Sequence, residues 1–240
     1  MRLQGKAAII TGVSSAGQAG FALAQAFARE GADLVISARN AERVHARAHE
    51  LREQGAKMVL PVAADLTTEE GAKELIEQTR GAYERIDILV NLAGGLSKYG
   101  PSDELSLADF EAELNNNLRS TFLCTRAVWS TMREQGSGKI INFSRAGGVE
   151  SSGPKMLAYN CAKAGVDALT RTFAKEGKYL NIQVNAIGPG LLVTQSNLES
   201  MKPSPEEIAQ KWVSLDKLAE AAIFLLTSDL SGVILPVTRL

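Results

Sequence analysis

The feature that most constrains the fold of this chain is an apolar strand, a loop of small residues, a helix and a second strand near the N-terminus. Strand Ala7–Ile10 runs into the loop Thr11–Gly20, and helix Phe21–Glu30 ends at Gly31 before strand Asp33–Ser37. This order predicts a βαβ unit, whose loop N–H groups and helix N-terminus together favour a bound anion such as a pyrophosphate. For the loop taken alone, a tight turn without a ligand is the alternative.

Strands and helices alternate along the rest of the chain, which predicts an α/β fold: one doubly wound parallel sheet, the Rossmann arrangement, with helices on both faces. No internal repeat or linker interrupts the pattern, so we expect a single dinucleotide-binding domain over residues 1–240. The further predicted helices are Ala41–Gln54, Glu69–Tyr83, Leu107 to about Met132, one that carries Tyr159 and ends near Gly177, and Leu218–Thr227. The further predicted strands are Met58–Ala63, Ile86–Val90, Lys139–Phe143, Ile182–Ile187 and Val233–Val237.

Charge and hydropathy exclude several classes of partner. Lys and Arg number 26 against 27 Asp and Glu, a formal charge of −1, so no basic surface for nucleic acid or an acidic membrane is expected. The apolar runs are shorter than a membrane span and the first residues show no signal-peptide pattern, which predicts a cytoplasmic protein. Cys124 and Cys161 lack CxxC spacing and are expected to be reduced thiols.

A tyrosine and a lysine four residues apart, Tyr159 and Lys163, form the leading catalytic candidate. On a helix this spacing places both side chains on one face. A cation within about 4 to 6 Å favours the phenolate and would lower the tyrosine pKa, so that Tyr159 could act as a general acid and base. Without other support, the alternative is a partly buried tyrosine beside a solvated lysine.

The residues after the second strand bear on the choice of cofactor. This segment has no acid to grip a ribose 2′-hydroxyl, but it offers Ser37 and Arg39, which suit a 2′-phosphate. Arg39 as a solvated loop residue is the alternative. His45 and His49 lie four residues apart on the next helix without a third ligand, so no metal is predicted.

Six segments, in the same order, resemble those of the short-chain dehydrogenase/reductase family, single-domain branch, and especially its β-ketoacyl carrier-protein reductase-like members. The likeness spans nearly the whole chain. The segments are Thr11-Gly12 with Gly17 and Gly20, Ala64-Asp65-Leu66, Asn91 to Gly94, the strand Gly138 to Asn142, Tyr159 with Lys163, and Gly188-Pro189-Gly190 to Thr194.

The resemblance implies hydride transfer between NAD(P)H and a carbonyl or alcohol, with Tyr159 passing the proton. Lys163 would bind the nicotinamide ribose and depress the Tyr159 pKa, Asn117 would hold a relay water, and Thr194 would contact the carboxamide. NADP(H) is preferred to NAD(H), no metal is expected, and a homotetramer is implied. The cofactor-binding set is Gly12, Ser14, Ser15, Gly17, Gly20, Ser37, Arg39, Asp65, Leu66, Asn91, Ala93, Gly94, Tyr159, Lys163, Pro189, Gly190 and Thr194.

Two departures from the family pattern concern the site itself. The spacings from Gly12 to Gly17 and from Gly17 to Gly20 are each one residue longer than in the family, so the path of the loop over a pyrophosphate is open. The serine that polarises the substrate carbonyl is replaced by Arg145, or by Ala146 when counted back from the tyrosine. Candidates for its role are Ser144, our choice for the catalytic set, Ser151 and Ser152, or Arg145, which could instead clamp an anionic substrate.

The sequence therefore leaves two candidate functions open. The first is an NADP(H)-dependent oxidoreductase that acts on a small or acyl-type ketone or alcohol, with substrate loops at about 144–158 and 195–213. The second is a dinucleotide-binding protein with little or no turnover, which the missing serine would favour. The preserved Tyr159, Lys163 and Asn117 favour the first, because proton-transfer groups have no clear use in a binding protein.

Overall fold

Seven strands, all parallel, form one sheet in the order β3-β2-β1-β4-β5-β6-β7 in the computed structural model, which describes residues 1–148 and 153–239. The predicted α/β fold class, a doubly wound parallel sheet, is confirmed. The strands are β1 Ala7–Thr11, β2 Asp33–Ala38, β3 Val59–Ala63, β4 Ile88–Asn91, β5 Gly138–Phe143, β6 Ile182–Pro189 and β7 Ile234–Val237.

Helices cover both faces of the sheet. They are α1 Ala19–Arg29, α2 Ala41–Glu53, α3 Glu69–Tyr83, α4 Leu107–Leu114, α5 Ser120–Gln135, α6 Leu157–Gly177, α7 Gln195–Met201, α8 Pro205–Lys211 and α9 Leu215–Thr227. Neighbouring strand residues point to opposite faces: Ile9 and Val35 pack with α3 and α5, whereas Ile10 and Ile36 pack with α1, α2 and α9. Burial on both faces explains why the strands are continuously apolar rather than alternating.

The strand order reverses between β1 and β4. From β1 the chain moves outward through β2 and β3, and it then returns to place β4 on the other side of β1. Such a switch point opens a crevice at the carboxyl ends of the strands, which is where ligands bind in open α/β sheets. The crevice therefore lies beside Thr11 and Asn91, the last residues of the two strands.

The helix predicted from Leu107 to about Met132 contains a π-helical turn. Asn115–Arg119 joins α4 to α5, and the Ser120 N–H donates to the carbonyl of Asn115, five residues earlier. Two α5 hydroxyls bind the carbonyls that this turn exposes: Ser120 Oγ donates to Asn116 O at 2.8 Å, and Thr121 Oγ1 to Asn117 O at 2.8 Å. Asparagine is a poor helix former, and π turns occur frequently at functional sites.

The polar segment 195–213, predicted as a substrate loop, contains two short helices. Thr194 caps α7, and Ser204 with Glu207 forms a complete capping box at the start of α8. Of the helices in the described part of the chain, none is long and apolar enough to cross a membrane.

Candidate active site

A cavity of about 420 Å³ opens at the carboxyl ends of β1, β2 and β4. Eight of the residues predicted to bind a cofactor line it: Gly12, Ser14, Ser37, Arg39, Asp65, Leu66, Ala93 and Gly94. The remaining predicted residues lie outside this lining: Ser15, Gly17, Gly20, Asn91, Tyr159, Lys163, Pro189, Gly190 and Thr194.

Some of the residues outside the cavity have evident structural partners. The Asn91 amide donates to Thr125 Oγ1 at 3.0 Å and to Asn142 Oδ1 at 2.9 Å, so it ties β4 to α5 and β5. Thr194 Oγ1 accepts the N–H of Asn197 at 3.3 Å as the cap of α7. These contacts explain the position of both side chains without a ligand.

The glycine loop lies tightly against its surroundings. Gly12 has a φ of +80°, and a Cβ there would lie 3.0 Å from the Cα of Ala93; a Cβ on Gly20 would lie 2.5 Å from the carbonyl of Gly12. Thr11 Oγ1 accepts the N–H groups of Leu92 and Ala93, both at 3.0 Å. A side chain at either glycine would therefore clash with the backbone. The hydrogen bonds of Thr11 join the ends of β1 and β4 at the base of the cavity.

The longer glycine loop reaches the start of α7. Gly17 O accepts the Gln195 N–H at 2.9 Å, and Ser196 Oγ donates to Gln18 Oε1 at 3.0 Å. The longer loop is therefore in direct contact with the predicted substrate loop 195–213. We call this contact between Gly17-Gln18 and Gln195-Ser196 the loop latch.

Positive charge gathers at the β2 end of the cavity. Arg39 and Arg43 line it, with the buried hydroxyl of Ser37, for which no described residue provides a hydrogen-bond partner. Hydrogen bonds from Thr67 hold the pKa of the Asp65 carboxyl below its usual value, and the nearby charge of Arg39 adds to this effect. Arg43 was missed in the sequence, although its place one turn after the helix cap Asn40 could have indicated that it faces the loop.

Tyr159 and Lys163 share one face of α6, as their spacing predicted. The Lys163 Nζ lies 5.4 Å from the centre of the Tyr159 ring and donates to the carbonyl of Phe143 at 2.7 Å. Burial lowers the pKa of Lys163 to about 8, opposed by the carboxylates of Glu113 and Asp167.

The expected lowering of the Tyr159 pKa by Lys163 is not seen. Burial raises this pKa, the charge of Arg145 opposes the rise, and the charge of Glu113 adds to it. The physical reason lies in the geometry, because the lysine ammonium is directed at the Phe143 carbonyl. At neutral pH the raised pKa keeps the phenol protonated.

Arg145 stands beside this pair at the end of β5. Its guanidinium donates to Asn160 Oδ1, and Asn160 Nδ2 in turn donates to Gly153 O at 3.0 Å. Ser144 is buried, and its Oγ has no hydrogen-bond partner among the described residues. Ser151 and Ser152, the other candidates for the missing hydroxyl, lie outside the described residues.

The Asn117 side chain braces the loop that follows β4. Its Oδ1 accepts the Gly95 N–H at 2.9 Å, and its Nδ2 donates to Gly95 O at 3.0 Å and to Glu113 Oε2 at 3.0 Å. The amide is therefore engaged with protein atoms on both sides. In the described part of the chain, no three His, Cys, Asp or Glu side chains are grouped so as to hold a metal ion.

Comparison with known proteins shows that this chain is similar to dehydrogenases and reductases. The family model for short chain dehydrogenase matches residues 6–204. The (2S)-[(R)-hydroxy(phenyl)methyl]succinyl-CoA dehydrogenase subunit BbsD of Thauera aromatica is 39% identical over 194 residues, 81% of this chain and 76% of that protein. The 3-oxoacyl-[acyl-carrier-protein] reductase FabG of Thermotoga maritima is 32% identical over 97% of this chain and 95% of that protein. The crystal structure of levodione reductase is similar with a TM-score of 0.89 at 29% identity, covering 98% of this chain and 96% of that one.

Proposed function

Because the chain belongs to the short-chain dehydrogenase family and is an oxidoreductase of that family, we propose that it transfers a hydride between NADP(H) and a carbonyl or alcohol. Tyr159 is the proton donor and acceptor in this proposal. The observation that carries it is the pairing of the partly buried Tyr159 with the buried Lys163 on α6, in a family whose members use nicotinamide dinucleotides.

The residues around the cavity fit such a cofactor. Gly12 and Ser14 of the glycine loop line the cavity just before α1, whose N-terminus favours a pyrophosphate, and the buried hydroxyl of Ser37, which has no partner among the described residues, offers a polar contact at the other end. Arg39 and Arg43 supply positive charge for a 2′-phosphate, which favours NADP(H) over NAD(H). When bound, the nicotinamide ring supplies or accepts the hydride.

The protein's own contribution is to hold and move the proton. In the reducing direction Tyr159 begins protonated, since burial raises its pKa, and it gives its proton to the oxygen that gains negative charge. The charge of the Arg145 guanidinium then stabilises the phenolate. Ser144 and Arg145 are the two described candidates for the group that polarises the carbonyl.

The substrate class rests on the relatives' names. Two of them are named for acyl thioesters, one of coenzyme A and one of acyl carrier protein, so we propose an acyl-type ketone or alcohol as the first class to assay. A homotetramer, implied by the sequence resemblance, is also part of the proposal, as is a cytoplasmic location.

The test is Tyr159→Phe, assayed with a panel of carbonyl substrates for NADPH oxidation. We expect a loss of kcat of at least about 100-fold, because the variant lacks the transferred proton, whereas the Kd of NADPH by fluorescence titration stays within about twofold. Tyr179→Phe, an exposed tyrosine at the end of α6, is the matched control and should turn over as the wild type does.

Unchanged turnover in Tyr159→Phe would refute the proton-transfer role. Tight NADPH binding by the wild type without turnover on any substrate would instead support the second function, a dinucleotide-binding protein.

A further inference from the structure

Glu113 on α4 is a fully buried carboxylate that belongs to none of the motifs described above. Its Oε1 accepts the N–H and the hydroxyl of Ser97, the latter at 2.7 Å, and the N–H of Lys98 at 2.9 Å. Its Oε2 accepts Nδ2 of Asn117 at 3.0 Å. A buried charge is costly unless it is fully hydrogen-bonded, and these four donors meet that condition.

The segment that Glu113 holds runs along the edge of the site. Gly95 at one end is bound by both polar atoms of the Asn117 amide, and Gly100 at the other donates its N–H to Lys155 O at 3.0 Å, just before α6. Gly94 and Ser97 also line the cavity. Through Glu113, the π-helical turn, the cavity wall and the approach to α6 therefore form one connected structure.

Glu113 also belongs to the electrostatic surroundings of the catalytic pair. Helix α4 packs against α6, and the carboxylate of Glu113 raises the pKa values of both Tyr159 and Lys163. Among the described residues, Arg145 at the end of β5 also acts on Tyr159 through its charge, and Asp167, one turn further along α6, acts on Lys163. Glu113 acts on both members of the pair and also binds the cavity wall.

We propose that Glu113 is a positioning residue for the proposed reaction: it fixes the segment Gly94–Lys98 and the Asn117 amide, and it places a negative charge behind Tyr159 and Lys163. The inference rests on the proposed function and adds a residue to it. The negative charge keeps Lys163 an ammonium and Tyr159 a phenol, the forms needed before a carbonyl is reduced.

The decisive variant is Glu113→Gln, which keeps the size of the side chain and removes its charge. The readout is the tyrosinate absorbance during a pH titration, taken as the difference between each protein and the same protein carrying Tyr159→Phe. We expect the midpoint of Tyr159 to fall by about 0.5 to 1 pH unit in Glu113→Gln, since the charge that disfavours the phenolate is gone. Glu111→Gln, an exposed neighbour on α4, is the control and should leave the midpoint in place.

A role in the architecture alone would lower the melting temperature of Glu113→Gln without moving this midpoint, and that result would overturn the electrostatic part of the inference.

If Glu113→Gln does not fold, Glu113→Asp gives the answer, because it keeps the charge on a shorter side chain. We then expect an unchanged midpoint and a kcat lowered about tenfold by the loosened segment. A shifted midpoint or an unchanged kcat would contradict the inference. The absorbance needs no turnover, so an inactive wild type would refute the proposed function and still leave this test standing.

Discussion

Arg39 is the residue on which the choice of cofactor depends. It is exposed at the end of β2, lines the cavity and acts electrostatically on Asp65. A guanidinium binds a phosphate through charge and paired hydrogen bonds, whereas it gains little from a ribose hydroxyl.

We therefore expect Arg39→Ala to raise the Kd of NADPH by about tenfold or more while the Kd of NADH changes less than about twofold. Fluorescence titration with both cofactors measures this. His45→Ala on the exposed face of α2 serves as the control. Equal losses for NADPH and NADH would show that Arg39 does not recognise a 2′-phosphate.

Ser144 and Arg145 are alternative candidates for the group that polarises the substrate carbonyl, and their surroundings differ. Arg145 acts on Tyr159 through its charge, whereas Ser144 offers a buried hydroxyl without a described partner.

We expect Arg145→Ala to lower kcat about 100-fold, the usual effect of removing one donor to a developing negative charge, and Ser144→Ala to lower it less than about fivefold. Steady-state kinetics on the best substrate measure both, with Lys175→Ala, an exposed cation in the last turn of α6, as the control for charge alone. The reverse order of effects would assign the role to the serine hydroxyl.

The loop latch joins the loop before α1 to the start of α7, two elements that lie far apart in the sequence. The glycine loop opens α1, and Gln195-Ser196 begins α7. Since both partners are at the surface, the contact adds little to stability.

We expect Gln18→Ala and Ser196→Ala each to speed NADPH dissociation about two- to fivefold, and the double variant to do no more than either single one, because they remove the same hydrogen bond. Stopped-flow displacement of bound NADPH measures the rate. Additive effects in the double variant would mean that the two side chains act independently. Ser200→Ala, at the opposite end of α7, is the control.

Local patterns in the sequence were sufficient for some elements of the site and insufficient for others. The Tyr159–Lys163 pair could be predicted because a spacing of four determines a helix face, and the capping box of Ser204 and Glu207 is equally local. The contact of Asn117 with Gly95, 22 residues away in the chain, could not be predicted from a local pattern. Glu113 could not be identified from the sequence, because its partners Ser97 and Lys98 lie in the loop after β4, which only the fold brings beside α4.

At the scale of the whole molecule, the alternation of apolar strands and helices was enough to predict the seven-stranded parallel sheet. Strand order could not be predicted in this way, because right-handed crossovers fix the face on which each helix lies and leave the order of the strands open; the crevice beside β1 and β4 is known from the structure. The direction of the Tyr159 pKa could not be foreseen. This pKa depends on burial and on the charges of Arg145 and Glu113. Arg145 follows β5 and Glu113 lies on α4, and only the fold brings both near the phenol on α6.

The π-helical turn has a consequence for the gene. The three asparagines 115–117 are identical, so loss of any one of their codons in frame gives the same protein, with two asparagines in the run. A π-helical turn holds one residue more than the α-helical turn, so the shortened chain closes the same turn with an N–H that donates to the carbonyl four residues earlier. Helices α4 and α5 then keep nearly the same relative orientation, and Glu113 still faces the site. Three different deletions therefore converge on one product, which has lost the π-helical turn and kept the arrangement of the two helices on either side of it.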